Sequence, residues 1–411
     1  MRRFAVALAV VAIVGVGVRV AFVAAAAKPL PEPGDALAYH LLADGIASGD
    51  GYVRPFDRIE GRTIATAEYG PGYPSLLAVA DVAGVDTTWG QRYLGALTSA
   101  VGIVLVGIAG RRAGGGSVGG VAALIVALHP LAVGHDTTLL TEGVALALGA
   151  LVLVLALQWL DDPRTSRAVA LGGALGASAL VRSEALVAAV VLVGAMVAAS
   201  RHRRSAIVAL AVAAAVVAPW TVRNAIRLDA FVPLTTNAAT AVAGANCEPT
   251  YAGSLVGYWR FGAGCFEGYE TADLVARGEA DVAADHLRDG IGRARRGAGR
   301  LPAVVAARVA RVWGLWDADQ QAYLAALEGK HPDWERAGTF VSWGVLVLAA
   351  AGAVVARRDR ERLFVLAAPC VAVTLTAAAT YGNARFRAGA EPALAVLAAV
   401  ALVMAAARVR R

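Results

Sequence analysis

Long apolar runs separated by short tufts of arginine constrain this chain more than any other feature of its sequence. A bilayer's hydrocarbon core is ~30 Å thick, so a spanning helix needs ~20 mostly apolar residues. About ten stretches approach that length: 4–27, 90–110, 117–134, 139–160, 166–181, 184–200, 205–220, 338–356, 362–380 and 389–407. Arg182-Ser183-Glu184 forms a tight turn between the two shortest neighbours. The first run follows a basic start, as a secretory signal would, but it is long and no small-residue cleavage site follows it. It is expected to be retained as a helix. The sequence therefore predicts an all-α polytopic membrane protein. Residues 1–220 form an N-terminal membrane module, residues 221–337 a large loop region, and residues 338–411 the C-terminal spans.

The net charge of +7 does not indicate nucleic acid, because of where the arginines lie. They cluster as Arg2-Arg3, Arg111-Arg112, Arg164 with Arg167, Arg201 to Arg204, Arg357 to Arg362 and Arg408 to Arg411. Alternating the spans puts every tuft on one side, and basic loops mark the cytoplasm. Both termini are thus expected inside a cell membrane, and segments 28–89 and 221–337 outside. Hydrophobic residues make up 58% of the chain but aromatics only 7%, so Ala, Val, Leu and Gly supply the apolar surface. Small residues let helices approach closely in lipid.

The first outer segment opens with Pro29, Pro31 and Pro33. It continues as an amphipathic helix, Asp35 to Ser48, with Leu37, Leu41 and Leu42 on one face. Ser75 to Val85 is apolar but too short to span, and is expected on the membrane surface. In the second segment, Asp273 to Arg296 reads as a polar surface helix. Leu301 to Trp316 reads as an interfacial helix with Arg308 and Arg311 on its polar face, anchored by Trp313 and Trp316. Cys247 and Cys265 lie on the oxidising side, which favours a disulfide over two free thiols. No internal repeat is evident.

Ionisable residues at span ends are costly and mark candidate sites. The acidic candidates are Asp35, Glu68 and Glu142. Asp35 precedes Tyr39 and His40. Glu68 precedes Tyr69 and the rigid turn Gly70-Pro71-Gly72-Tyr73-Pro74. Glu142 follows Thr141 at the start of a span. Each has a structural alternative: a helix N-cap for Asp35, an ordinary loop for Glu68, and a helix-dipole contact for Glu142. His135 and Asp136 share a short loop without metal-ligand spacing. No metal site and no cofactor is expected there, although a divalent ion stays open. The basic candidates, Arg182, Arg223, Arg385 and Arg387, break the positive-inside pattern. Arginine suits bidentate phosphate binding, and interfacial snorkelling is the alternative. A carboxylate base beside arginines suits group transfer from a lipid phosphate to a hydroxyl, with Tyr39, His40 and Tyr69 lining the substrate.

These pieces, in order, resemble the GT-C superfamily of membrane glycosyltransferases. The likeness is to the bacterial family related to protein mannosyltransferases and aminoarabinose transferase. It is carried by Arg19, Asp35 with Tyr39, Pro71 to Pro74, Thr141-Glu142, Pro219 to Asn224, Arg385 to Arg387 and Ala390-Glu391-Pro392. The resemblance implies a polyprenyl-phosphate-linked hexose or pentose donor and an extracytoplasmic glycan, lipid or protein acceptor, usually with inversion. It places the general base on Asp35, the second acid on Glu142 and phosphate binding on Arg385 and Arg387. Many relatives carry an acidic pair in the first loop. Here Ala36 follows Asp35, which leaves Glu68 as a source of the second charge. Longer relatives add a soluble domain or extra spans, so the acceptor is expected at the loop before the eighth span. The Ala, Val, Arg and Gly bias suits a high-GC bacterium, where decaprenyl-phosphate mannose or arabinose would fit as donor, and the membrane expected is the bacterial inner membrane. A transporter or lipid flippase is the competing class. It would place ionisable groups near mid-membrane, where Arg19 stands nearly alone. A non-catalytic envelope scaffold is the third reading. Sugar, acceptor and oligomeric state are not legible.

Overall fold

The computed structural model describes residues 2–199, 203–262, 264–266 and 270–409. Arg201, Arg410 and Arg411 of the basic tufts, and the last residue of the predicted span 184–200, lie outside the described residues. Helix α1 (Arg2–Ala25) leads to a first polar segment holding α2 (Asp35–Ala47), α3 (Pro55–Ile59) and α4 (Gly72–Val82). Then come α5 (Thr88–Gly114), α6 (Gly116–Leu128), α7 (Pro130–Thr137), α8 (Glu142–Asp161), α9 (Thr165–Val181), α10 (Ala185–Ala199) and α11 (Arg203–Leu228). The second polar segment carries α12 (Asn237–Ala245), α13 (Glu248–Tyr251), α14 (Thr271–Arg277), α15 (Glu279–Arg296), α16 (Leu301–Val312) and α17 (Ala318–Ala326). Helices α18 (Pro332–Ala356), α19 (Arg360–Ala379) and α20 (Glu391–Val409) close the chain.

Each predicted apolar stretch falls on a helix, but fewer than ten have full spanning length. Helices α1, α5, α8, α11, α18, α19 and α20 are long and apolar enough, and α6 with α7 adds an eighth if that bent pair is one span. Helices α9 and α10, of 17 and 15 residues, are apolar but shorter. This is a multi-pass membrane protein. Helix α20 lies at the centre, buried from Glu391 to Ala399, against α18, α6, α5 and α8. Small residues permit this packing: a Cβ on Gly352 of α18 would collide with the Leu397 carbonyl at 1.9 Å.

The span predicted over 117–134 is broken at His129, and its halves meet at 61°. Pro130 has no N–H and cannot continue the ladder, which frees carbonyls at apolar depth. Arg19 takes them up. Its Nη1 donates to the carbonyl of Ala127 (2.8 Å) and its Nη2 to that of Val126 (3.3 Å), while Nη1 also touches the Gly15 carbonyl one turn back on its own helix (3.1 Å). Its Nε pairs with Asp136 at 2.6 Å. His135 and Asp136 therefore lie in the last turn of α7 and not in a loop. His129 caps α7 by accepting the Leu131 N–H at Nδ1.

Three further expectations are corrected. The buried face of α2 is Ala36, Tyr39, Leu42 and Ala43, with Leu37 and Leu41 half-buried, because the alanines let α2 approach α4 closely. The polar helix expected over 273–296 is split by Gly278, whose φ of 84° suits glycine. Arg308 and Arg311 are buried, not wet. They donate to the carbonyls of Ala245, Val256 and Ala378, which no helix satisfies. Trp313 likewise turns inward and donates to Thr374 on α19. Cys247 and Cys265 form a disulfide with Sγ atoms 2.07 Å apart. It packs against Ala243, Trp259 and Phe266.

Candidate active site

Five stretches of chain converge at one end of the bundle. Asp35 opens α2 behind the proline-rich turn, where the N-cap position belongs to Gly34. The Asp35 carboxylate makes no capping bond. It accepts from the Tyr69 hydroxyl at 3.2 Å and from Arg385 Nη1 at 3.0 Å. Glu142 opens α8 and is fully buried. Its Oε1 accepts from Arg385 Nε and lies 3.2 Å from Arg182 Nη1, while its Oε2 has no protein partner among the described residues. Glu328 stands 3.6 Å from Arg385 Nη1. One guanidinium thus bridges three carboxylates from distant parts of the chain.

Arg385 is positioned by a short 3₁₀ turn, Ala384–Gly389, capped by Asn383. Asn383 also donates to Glu328 at 3.1 Å. Burial would lower the Arg385 pKa, but Glu142, Glu328 and Asp35 outweigh it and hold the group firmly charged. Arg182, at the end of α9, donates to Thr141 Oγ1 and pairs with Glu184 at 2.5 Å. Burial opposes its charge too, and Glu184 and Glu142 again prevail. Tyr39 packs edge-on against Tyr69 and Tyr73, with ring centres 5.0 and 5.2 Å away. Burial and then Asp35 push the Tyr69 phenol up, so it stays a donor to that carboxylate. Beside this cluster runs an apolar cleft between α8, α9, α10 and α19, lined by Leu153, Leu175, Leu192 and Val373. Arg182, Glu184 and Phe386 stand at its polar end.

The other sequence candidates lie elsewhere. Arg223 donates to the carbonyls of Thr66 and Tyr52, both at 2.6 Å, and stacks on Trp220. It struts α11 against the first polar segment. Arg387 points into the bundle, to Glu391 and Ser342. His40 faces Gln91, which donates to Asp81. Glu68 shares Arg54 with Asp57 and Glu279. Glu328 and Asn383 were not among the sequence candidates. The only signal for Asn383 was its place two residues before Arg385.

Burial pushes the Glu68 carboxyl up to about 7, because an Arg54 shared among three acids compensates it incompletely. The folded chain therefore binds this proton more tightly than the unfolded chain does. The stability it contributes is complete below the ordinary value of 4.5 and is lost as pH rises through about 7. Glu68→Gln should flatten that slope. Relative to wild type, the variant is expected to gain on the order of 1–3 kcal/mol between pH 5 and pH 8. Thermal melts at the two pH values measure this, and parallel slopes would contradict it.

No family model and no curated protein matches the chain. Solved structures do. The oligosaccharyltransferase of Archaeoglobus fulgidus in complex with Zn and sulfate aligns with a TM-score of 0.57 and 16% identity, covering 98% of this chain and 49% of that one. The chain has a GT-C-like fold. The same archaeal protein, AglB, in complex with an inhibitory peptide and a dolichol-phosphate aligns at 0.55 and 14%, covering 98% and 50%. The chain thus spans about half the length of these archaeal structures. ArnT from Cupriavidus metallidurans bound to undecaprenyl phosphate aligns at 0.48 and 14%, covering 98% and 78%. In this chain the Arg385 guanidinium lies between Asp35 and Glu142. Among the described residues, no group of three or more His, Cys, Asp or Glu is arranged to hold a metal ion.

Proposed function

We propose that this chain is a membrane glycosyltransferase, moving a sugar from a polyprenyl-phosphate-linked donor to an extracytoplasmic acceptor hydroxyl. The observation that carries the reading is the Asp35–Arg385–Glu142 bridge at the polar end of an apolar cleft. Asp35 is the general base. Its side chain is 40% exposed, so an acceptor reaches it from water. As the acceptor oxygen bonds the anomeric carbon, its proton passes to Asp35. The bond from that carbon to the phosphate oxygen breaks on the opposite face, and its electron pair stays on the phosphate. Attack from the opposite face inverts the configuration. Arg182 and Arg385 balance the phosphate charge, and buried Glu142 holds both guanidiniums in place. The cleft receives the lipid tail. Tyr69 orients Asp35, and Tyr39 walls the sugar side. Arg223, Arg387, His40 and Glu68 support this centre from behind.

Topology follows the same reading. Arg112, Asp161 and Arg362 tie together the opposite ends of α5, α8 and α19. That basic end is cytoplasmic, with both termini, in a bacterial inner membrane. A transporter would line a mid-membrane cavity with ionisable groups, whereas Arg19 and Asp136 are locked onto each other and onto backbone carbonyls. The test is transfer of radiolabelled sugar from polyprenyl-phosphate donors in membranes holding the full chain. Product of inverted configuration is expected, and transfer should survive EDTA because the chain supplies its own cation. Asp35→Asn should lose about a hundredfold or more in rate while still binding donor. Undiminished transfer by that variant removes Asp35 as base. Failure of wild type with every polyprenyl-phosphate sugar removes the function.

A further inference from the structure

Arg92, on the second turn of α5, is 2% exposed and has no carboxylate partner among the described residues. Its Nη1 donates to the Lys28 carbonyl at 2.6 Å, and its guanidinium lies 4.9 Å from the Trp89 ring centre. Its Nε and Nη2 are buried and have no hydrogen-bond partner among the described residues. These two atoms form the side-on edge of the guanidinium, the edge that meets two oxygens of one oxyanion. Other buried arginines use this edge: Nε of Arg19 on Asp136, of Arg385 on Glu142 and of Arg387 on Glu391. Arg308 and Arg311 also lack a carboxylate, but each places an atom of this edge on a carbonyl; on Arg92 both atoms of the edge are open among the described residues, and an uncompensated buried charge is strongly unfavourable.

We infer that the side-on edge of Arg92 is a binding site for a phosphate-bearing ligand, separate from the Asp35 centre. The Tyr73 phenol acts electrostatically on Arg92. Tyr73 packs against Tyr39, so an aromatic ring stands between the two sites. The depth is that of lipid headgroups. Lys28 follows the end of α1, and Trp89 and Tyr93 on the first turns of α5 are 44% and 37% exposed, the aromatic pattern of a membrane interface. A single phosphate ester matches the positive charge and the paired donors of Arg92. The proposal is independent of sugar transfer.

The test uses the full chain, purified and delipidated in detergent, with thermal unfolding as readout. The probes are dihexanoyl phosphatidic acid, dihexanoyl glycerol and inorganic phosphate. Phosphatidic acid should raise the wild-type midpoint with concentration, and dihexanoyl glycerol should not. Arg92→Met should bind phosphatidic acid at least about tenfold more weakly. Arg92→Lys keeps the charge without the paired donors and should fall between, which serves if Arg92→Met does not fold. Inorganic phosphate far weaker than phosphatidic acid assigns the ligand to a lipid, and equal potency assigns it to free phosphate. Equal shifts in wild type and both variants, or no shift in wild type, overturn the proposal.

Discussion

Arg385→Met is expected to lower sugar transfer by about a thousandfold, the scale on which a single preorganised charge acts at a transition state. The loss has two parts. The phosphate loses a fixed cation, and Asp35 loses the donor that sets its position at 3.0 Å. Stability should also fall, by about 1–3 kcal/mol, since Glu142 stays buried with Arg182 as its remaining cation. A second substitution separates the two parts. Glu142→Gln in the Arg385→Met background removes the uncompensated carboxylate, so the melt should recover while transfer does not. Arg385→Lys should recover part of the rate, because it keeps the charge but not the fork. Transfer by Arg385→Met within about tenfold of wild type would show that the guanidinium is structural, as one tenfold step is only ~1.4 kcal/mol of barrier.

Arg19→Leu is the largest stability effect expected, a loss of about 3–5 kcal/mol. It strands Asp136 inside the bundle and frees the carbonyls of Val126 and Ala127. Unfolding of the purified chain in detergent measures it. The paired variant Arg19→Leu with Asp136→Leu should recover most of the loss, leaving the cost of the carbonyls. A single variant as stable as wild type would mean that the break at His129 needs no such support.

What the sequence disclosed follows from what charge costs in lipid. Asp35, Glu142, Arg182 and Arg385 stood out because they sit beside apolar runs, and the structure brings these four together. Arg387 stood out for the same reason yet faces Glu391. Two residues along a 3₁₀ turn project to different sides, and sequence spacing alone could not say which side met Glu142. For Arg308 and Arg311, amphipathic periodicity marks a polar environment without saying whether water or loop carbonyls supply it. Glu328 lies in a segment where charge is ordinary, so nothing singled it out. Arg92 lies at the opening of the predicted span 90–110, where a long cationic side chain can ordinarily reach the interface, so nothing in the sequence marks it as buried. The breadth of the fold was legible and the span count less so, since α9 and α10 are apolar but fall below the usual length.

The Asp35–Arg385 contact joins residues 350 positions apart. Translation delivers the N-terminal spans to the membrane first, so Asp35, Glu142 and Arg182 are in place while Glu328 and Arg385 are still unmade. On the proposed function, a nascent or truncated chain would hold acids without their shared cation, and no assembled reaction centre. Competence would arrive in one step, once Arg385 is in place. A half-built chain would therefore leave the membrane's stock of activated sugar unspent.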